Sequence, residues 1–492
     1  MNAHVRVLEW PSERQAEQQD AGILHDGALW DAASIARAVR GEASGDFTVS
    51  GVEIDSRDVV AGDLFFALKG EATDGHRFVE MAFRNGAAAA VVERPVDGPH
   101  ILVRDTAEAL ESLGAAARGR ARAQIIGVTG SVGKTSVKQA LFAALQRSSR
   151  GFAHCSVKSY NNHVGVPLSL ARMPARTRFG IFEMGMNHAG EIVRLTRQVR
   201  PDVALITTIA PAHIEMLGSE EAIADAKAEI FQGLERGGIA VIPADSPHFP
   251  RLRAAAELIG AQIVSFGRSA EADVRLLDAV AAPDGGSLIT ADMSDRRICY
   301  TVASPGEHWI MNSLAVMSAV RAVGGDLGAA GIALAELEGL SGRGARIEIP
   351  AEGGDALLID ESYNANPASM KATLAQLGQT HANRRIAVLG AMKELGSHGP
   401  IYHAALAEPM RQARVDFAVL VGEEMVALAE ELGKSTESAL GKGVAFAHCA
   451  NVDEAVETLR KFGPARGDAI LVKGSNSVGL ASLVSALSKQ EG

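Results

Sequence analysis

The stretch Gly127-Val-Thr-Gly130-Ser-Val-Gly133-Lys134-Thr135 is the strongest chemical signal in the chain. It ends the apolar run QIIGV and opens a helix pattern, KTSVKQALFAALQR. Glycines let backbone N–H groups converge on phosphate oxygens, and the first turn of a helix favours anions. Thr129, Gly130, Ser131, Val132, Gly133, Lys134, Thr135 and Ser136 are therefore expected to cradle phosphates. Lys134 would bridge the β- and γ-phosphates, and Thr135 would ligate Mg2+. The strict pattern GxxxxGK[ST] is missed by one place, because position 128 is Val. Such a loop specifies a nucleotide, not a reaction. A GTPase, an ATPase motor, a kinase and a ligase all fit it.

Three further residues narrow the choice. FGIFEMG places Glu183 at the end of an apolar run, and DVALITTIAPAHIE ends a second run near Thr207 or Thr208 and delivers His213 on a short loop. In parallel α/β sheets, ligands bind beyond the carboxyl ends of strands. A carboxylate there can hold Mg2+, though a strand-end Glu is as often simply a surface residue. A lone His is more often a hydrogen-bonded structural imidazole. The segment SEEAIADAKAEIFQGL opens with Ser219 and acidic residues, a helix-start signal. Lys227 falls along its apolar face of Ile223, Ile230, Phe231 and Leu234. Either its stem snorkels at the stripe's edge, or its amine points into a site where burial disfavours the cation. A neutral amine can add CO2 to give a carbamate, an anionic oxygen ligand suited to a hard metal such as Mg2+.

Three regions position these groups. Residues 22–115 mix short apolar runs, DLFFAL (63–68) and AAAAVVE (87–93), with turns, and close on the helix-like TAEALESLGAAARGRAR. Residues 116–340 alternate strand and helix patterns around the phosphate loop, and residues 341–492 start a second alternation at ALLID, RRIAVLG, FAVLVG and AILVKG. Such alternation reads as parallel α/β sheets, the second one doubly wound. The stretch 265–303, with its DGG and SD turns, is expected to be a β-rich insertion or hairpin. A length of 492 residues suits about three domains. The 47% hydrophobic and 22% charged composition is that of a globular chain and excludes global disorder. A net charge of −11 argues against nucleic acid as a partner. Three scattered cysteines argue against a disulfide framework or a zinc site. The absence of a signal-peptide pattern or a long apolar run points to a reducing cytoplasm without membrane insertion. The polar first twenty-odd residues are expected to fray.

At this point the chain resembles the Mur ligase family, ATP-dependent amide-forming enzymes of peptidoglycan synthesis. The resemblance rests on VTGSVGKTS, YNNHVGVPLSL, FEMGMNHAGEI, IAPAHIEMLGSEEAIADAKAEIF, PGEHWIMNSLAV, SGRGAR, IDESYNANPASM, LGAMKELG and LVKGSNS. An N-terminal stretch, DSRDVVAGDLFFALKGEATDGHRFVEMAFRNGAAAAVV, resembles the family's UDP-sugar-binding domain. The resemblance thus implies an N-terminal α/β UDP-sugar-binding domain, a central P-loop ATPase-like parallel sheet and a C-terminal Rossmann-like domain. DESYNANPASM beside LGAMKELG is most similar to the branch that adds a dipeptide. That branch ligates D-alanyl-D-alanine to UDP-N-acetylmuramoyl-tripeptide through an acyl phosphate, releasing ADP and phosphate. The DNPR-type motif of the branch that adds the third residue is absent. Three positions depart from the family pattern: Glu361 and Ala391 stand where Asp is usual, and Ser159 where Asn is usual.

The resemblance also implies roles. Lys134, His213 and Lys227 are the expected catalytic residues. Thr135 and Glu183 would hold one Mg2+, and His213 with carbamylated Lys227 a second. Asn312 would face the adenine, and Arg343 and Asp360 would contact ATP from the C-terminal domain, so that catalysis depends on closure. Ser56, Arg57, Thr73 and Asp74 are the candidate UDP-sugar contacts, although Asp55-Ser56-Arg57 taken alone reads as a polar turn. Asn161 and Asn162 are the candidate peptide contacts. The enzyme is expected to act as a monomer. Two alternatives compete. A folylpolyglutamate synthase-like ligase would share the loop and the lysine but lack the UDP-sugar domain. A non-catalytic P-loop switch would keep GKT without needing His213 and Lys227 together.

Overall fold

The computed structural model describes residues 28–70, 73–157, 159–211, 214–282, 286–337, 339–436 and 443–489. His213 and the N-terminal segment expected to fray lie outside the described residues. Three main sheets account for the alternating patterns. The first has five strands in the order Glu42–Ala43, His100–Leu102, Ala89–Val92, Asp63–Phe66 and Gly51–Glu53. It is parallel except where Glu42–Ala43 meets His100–Leu102. Trp30–Asp31 pairs with Thr48–Val49 as a small antiparallel ribbon beside it.

The central sheet has nine strands. Gln124–Thr129 lies between Phe179–Glu183 and Val203–Ile206, with Ala153–Cys155 at one edge and Ile239–Pro243, then Gln262–Gly267, toward the other. All these neighbours are parallel. Helices cover both faces, so the inner strands are buried almost end to end and read as continuous apolar runs rather than alternating ones. The stretch 265–303 is β-rich, as expected, but it is not a separate insertion. Val274–Ala281 continues the central sheet parallel to Gln262–Gly267, and Ser287–Asp292 and Arg297–Val302 extend it antiparallel. The third sheet runs in the order Ala345–Ala351, Gly354–Glu361, Ala469–Lys473, Arg385–Gly390, Phe417–Val421 and Ala445–Cys449, parallel apart from its first hairpin.

The helix Thr106–Arg120 runs across position 115, so the change from first to second sheet falls after Arg120, not within the helix pattern. It packs on the short helix Gly165–Ala171. A Cβ at Gly114 would lie 2.9 Å from the Pro167 carbonyl oxygen, and this close approach requires glycine. The Trp30 indole donates to the Ala171 carbonyl at 2.9 Å. Arg172 donates to the Val52 carbonyl at 2.7 Å and to Glu53 Oε2 at 2.8 Å, a largely buried ion pair that ties the first sheet to the second. On the other side, Ile214, at the start of the helix Ile214–Leu217, packs against both the central core and the C-terminal core.

Candidate active site

The phosphate loop is locked by its neighbours. Gly130 has φ +150°, and a Cβ there would sit 2.0 Å from Thr207 Oγ1. Only glycine fits, and Thr207 uses the space to donate to the Val132 carbonyl at 2.6 Å. The Ser131 amide donates to the Thr208 carbonyl at 2.8 Å, and its hydroxyl donates to the Ala210 carbonyl at 2.9 Å. Gly133, at φ +86°, starts the helix Lys134–Ser149. The loop between strand and helix is thus held open from the side of the adjacent strand end.

Lys134 Nζ donates to the Gly130 carbonyl at 2.9 Å, so its ammonium lies folded into the loop. Burial holds its pKa below the ordinary lysine value, against the pull of Glu183; Arg343 pushes it further down. Thr135 Oγ1 donates to Glu183 Oε2 at 2.9 Å, and Asn161 Nδ2 donates to Glu183 Oε1 at 2.8 Å. The Ser159 hydroxyl lies 3.5 Å from Thr135 Oγ1 and accepts from Arg343 Nη2 at 3.3 Å. Arg343 also stacks its guanidinium 4.1 Å above the Tyr363 ring. A residue of the third sheet's leading loop thereby reaches the phosphate-loop side.

These groups line one cleft of about 690 Å³ between the central and C-terminal sheets. Ser131 to Ser136, Asn161, Glu183 and Asn312 stand on its central wall and Arg343 on its C-terminal wall. Asn312 packs against Gly133, where a Cβ would meet its Oδ1 at 2.9 Å. Of the phosphate-loop residues named from the sequence, Thr129 and Gly130 do not line the cleft. Thr129 is fully buried and donates to the Met184 carbonyl at 2.8 Å.

Asp360 is placed differently from the expectation. It is buried beneath the cleft and accepts from the Gly342 amide at 2.7 Å and from the Ser362 hydroxyl at 2.6 Å. A carboxylate so engaged shapes the loop that carries Arg343. The candidate UDP-sugar residues also stand outside this cleft. Arg57 pairs with Asp55. The Ser56 carbonyl accepts from Asn85 at 2.8 Å, and the Thr73 carbonyl accepts from the Gly70 amide at 2.9 Å. Asp74 accepts from the backbone and ring of His76, whose other ring nitrogen accepts from the Glu93 amide, so the imidazole carries its proton on Nδ1. Asn162 caps the turn into Gly165–Ala171 rather than lining the cleft.

Sequence reasoning passed over Lys473, Glu361 and His308 as site residues, and all three line the cleft. Lys473 is almost fully buried at the carboxyl end of its strand and donates to Glu361 Oε2 at 3.2 Å and to the Asn364 carbonyl at 2.9 Å. The strand-end rule that flagged Glu183 would have flagged it in LVKGSNS. Burial holds the neighbouring His308 below the usual histidine value, keeping it neutral.

Lys227 is buried outright and does not snorkel to the surface, though it is not among the residues lining the cleft. It sits on the helix Glu220–Ala228, capped by the Ser219 hydroxyl, and is fully buried. Its Nζ has no hydrogen-bond partner among the described residues. Desolvation, reinforced by repulsion from Lys134, drives its pKa well below the ordinary value, so the neutral amine is the accessible form. Among the described residues no group of three or more His, Cys, Asp or Glu side chains converges as a metal cage. The hydroxyl and carboxylate of Thr135 and Glu183 are nonetheless the hard oxygen donors that Mg2+ takes alongside phosphates and water. A buried amine without a partner is what a carbamate-forming lysine requires.

Comparisons with known proteins place this geometry. Residues 48–118 match the Mur ligase family, catalytic domain; residues 128–320 the Mur ligase middle domain; and residues 345–476 the Mur ligase, glutamate ligase domain. The chain is 34% identical to a UDP-N-acetylmuramoyl-tripeptide–D-alanyl-D-alanine ligase of Escherichia coli K12, over 91% of this chain and 96% of that one. It is similar to a crystal structure of MurF from Acinetobacter baumannii, with 28% identity, a TM-score of 0.80, and 94% and 100% of the two chains covered. It is also similar to the MurF ligase of Thermotoga maritima in complex with ADP, with 25% identity, a TM-score of 0.71, and 90% and 98% covered. With matching domains along its length and a relative this similar over nearly its whole extent, the chain belongs to the Mur ligase family.

Proposed function

We propose that this Mur ligase joins D-alanyl-D-alanine to UDP-N-acetylmuramoyl-tripeptide, with ATP as the energy source, in the synthesis of peptidoglycan precursors. The observation that carries the reading is the shared cleft, with the phosphate loop and the Thr135–Glu183 pair on one wall and Arg343 and Lys473 on the other. The naming of the Escherichia coli relative supports the substrates, and the ADP complex of the Thermotoga maritima relative supports ATP. Coverage across the N-terminal domain favours this reading over a folylpolyglutamate synthase-like ligase. Lys227, buried and without a hydrogen-bond partner among the described residues, favours it over a non-catalytic switch.

A carboxylate is a poor electrophile, so it is activated first. One of its oxygens attacks the γ-phosphorus of ATP, ADP leaves, and an acyl phosphate results. The dipeptide's amine then attacks the acyl carbon, inorganic phosphate leaves, and the nitrogen loses a proton to give the amide. The difficulty of the first step is bringing two anions together, and positioning with charge neutralisation supplies most of its acceleration. Amides of residues 130–136 and Lys134 hold the phosphates on one side. Arg343 approaches from the other, its plane fixed by Tyr363. Asn312 borders the loop where the adenosine would lie. Thr135 and Glu183 would hold one Mg2+, and carbamylated Lys227 with His213 a second. Bound there, the metals would act as Lewis acids on the phosphoryl and carboxylate oxygens.

The three regions, with the first boundary moved past Arg120, would then carry UDP-sugar binding, ATP binding and closure in turn. Ser56, Arg57, Thr73 and Asp74 are left as sugar-nucleotide contacts, and Asn161 as a peptide contact. A cytoplasmic location accords with those substrates. No helix among the described residues is long and apolar enough to cross a membrane. The test incubates the chain with ATP, Mg2+, D-alanyl-D-alanine and UDP-N-acetylmuramoyl-tripeptide ending in diaminopimelate or in lysine. Phosphate release dependent on both substrates, with a pentapeptide product by mass spectrometry, is expected from at least one. Release with neither, or transfer of glutamate to a folate instead, would overturn the reading.

A further inference from the structure

The phosphate-loop helix buries a second lysine that the mechanism above leaves idle. Lys138 lies one turn after Lys134 and is fully buried. Its Nζ donates to the Ser156 carbonyl oxygen at 2.7 Å. Ser156 is also fully buried and follows the edge strand Ala153–Cys155. It grips the end of the neighbouring strand twice. Its amide donates to the Ile181 carbonyl at 2.9 Å, and its hydroxyl accepts from the Glu183 amide at 3.1 Å. The chain then leaves the sheet and returns Ser159 and Asn161 to the cleft, where Ser159 meets Thr135 and Arg343, and Asn161 holds the second oxygen of Glu183. The Asn161 carbonyl in turn accepts from the Gly185 amide at 2.8 Å.

The Ser156 carbonyl stands where the edge strand has ended, and among the described residues no ladder partner follows. A buried carbonyl needs a donor, and a methionine-sized apolar side chain would supply none. We propose that Lys138 is a positioning residue: through Ser156 it fixes the strand end and loop that aim the Glu183 carboxylate at the Mg2+ accompanying the nucleotide. This rests on the reading of Glu183 as a ligand of that metal. Groups standing behind a ligand commonly change metal affinity by about 10–100-fold when lost.

The test is binding of a fluorescent ADP analogue to the full chain, titrated with and without Mg2+, and needs no turnover. In the wild type, Mg2+ tightens binding. Lys138→Met should lose about 10-fold of that gain while its metal-free affinity is unchanged. Lys138→Arg, which keeps a long cationic donor, should restore part of it. Ser156→Ala, a milder change, should lose part of the gain, and adding it to Lys138→Met should cost little more, since both act along one path. An intact gain in Lys138→Met, or an equal fall of both affinities, overturns the proposal. If Lys138→Met does not fold, Ser156→Ala decides alone, and an intact gain there overturns it. Glu183→Gln separates the two levels. If it too keeps the gain, the metal-ligand reading itself fails; if it loses the gain and Lys138→Met does not, only the role of Lys138 fails.

Discussion

Thr135 Oγ1 and Glu183 Oε2 stand 2.9 Å apart across 48 residues of sequence, joining the first turn of the phosphate-loop helix to the end of the adjacent strand. The pairing follows from parallel register, in which Glu183 is opposite Val128, one residue before the loop begins. On the proposed role of both oxygens as ligands of one Mg2+, their losses should not add. Thr135→Ala and Glu183→Gln are each expected to lower kcat/KM by about 10²–10³-fold. The double variant should be little worse than the poorer single one. Steady-state kinetics at saturating Mg2+ measure this, and full additivity would separate the two roles.

Lys134→Ala should abolish ligation with little change in melting temperature, because among the described residues its amine hydrogen-bonds a loop carbonyl alone. Gly130→Ala should do the opposite to the scaffold. Its Cβ would strike Thr207, so loop geometry, nucleotide binding and thermal stability should all fall. Calorimetry of both variants beside nucleotide titrations distinguishes the two. A Gly130→Ala protein that binds ATP normally would contradict the fit described for the loop.

Lys227→Met should be inactive yet more stable. A buried polar group without a partner costs about 1–3 kcal/mol, and methionine removes it while keeping the volume. The sign with pH follows from linkage. The folded-state pKa is depressed, so the unfolded chain binds more protons at neutral pH and wild-type stability rises with pH. The advantage of Lys227→Met should therefore be largest at low pH and shrink as pH approaches the ordinary lysine value of 10.5. Denaturant melts in CO2-free buffer read this out. Separately, removing bicarbonate should slow the wild type and adding it should restore turnover. A stability gap independent of pH would mean that the amine stays charged.

Arg343→Lys keeps the charge but loses the plane that rests on Tyr363. A stacked cation is worth about 0.5–2 kcal/mol, so kcat should fall about 10-fold, with Tyr363→Ala close behind and Tyr363→Phe near wild type. Equal loss in the Phe and Ala variants would assign the effect to the hydroxyl instead of the ring.

Much of this was legible along the chain. The phosphate loop, Glu183 at a strand end and Lys227 on an apolar helix face are local patterns, since helix and strand periodicity decide which way a side chain points. The antiparallel edge of the central sheet was legible as a β-rich hairpin but not as part of that sheet, because pairing partners are set by the sheet and not by the strand. The helix Thr106–Arg120 ran past the expected domain boundary, because its packing on Gly165–Ala171 outweighs any local break signal. Asp360 was expected at the nucleotide. Its strand position suits that role, but the turn through Gly342 and Ser362 takes up its oxygens.

The sequence by itself carried the candidate groups: a glycine-rich loop ahead of a helix, a carboxylate at a strand end, a lysine on an apolar helix face, and the family to which the chain belongs. These depend on residue type and short-range spacing, which the chain carries directly. The tertiary structure alone decided which groups share a site. Arg343 and Lys473 come from segments far from the phosphate loop, and only the packing of the third sheet against the second brings them to one cleft, while His308 reaches it from a helix of the central core. Whether a buried lysine has a partner is equally a property of the assembled core. Lys138 finds the Ser156 carbonyl and Lys227 finds no partner among the described residues, though each is buried on a helix, because hydrogen-bond satisfaction depends on what the neighbouring elements leave unpaired.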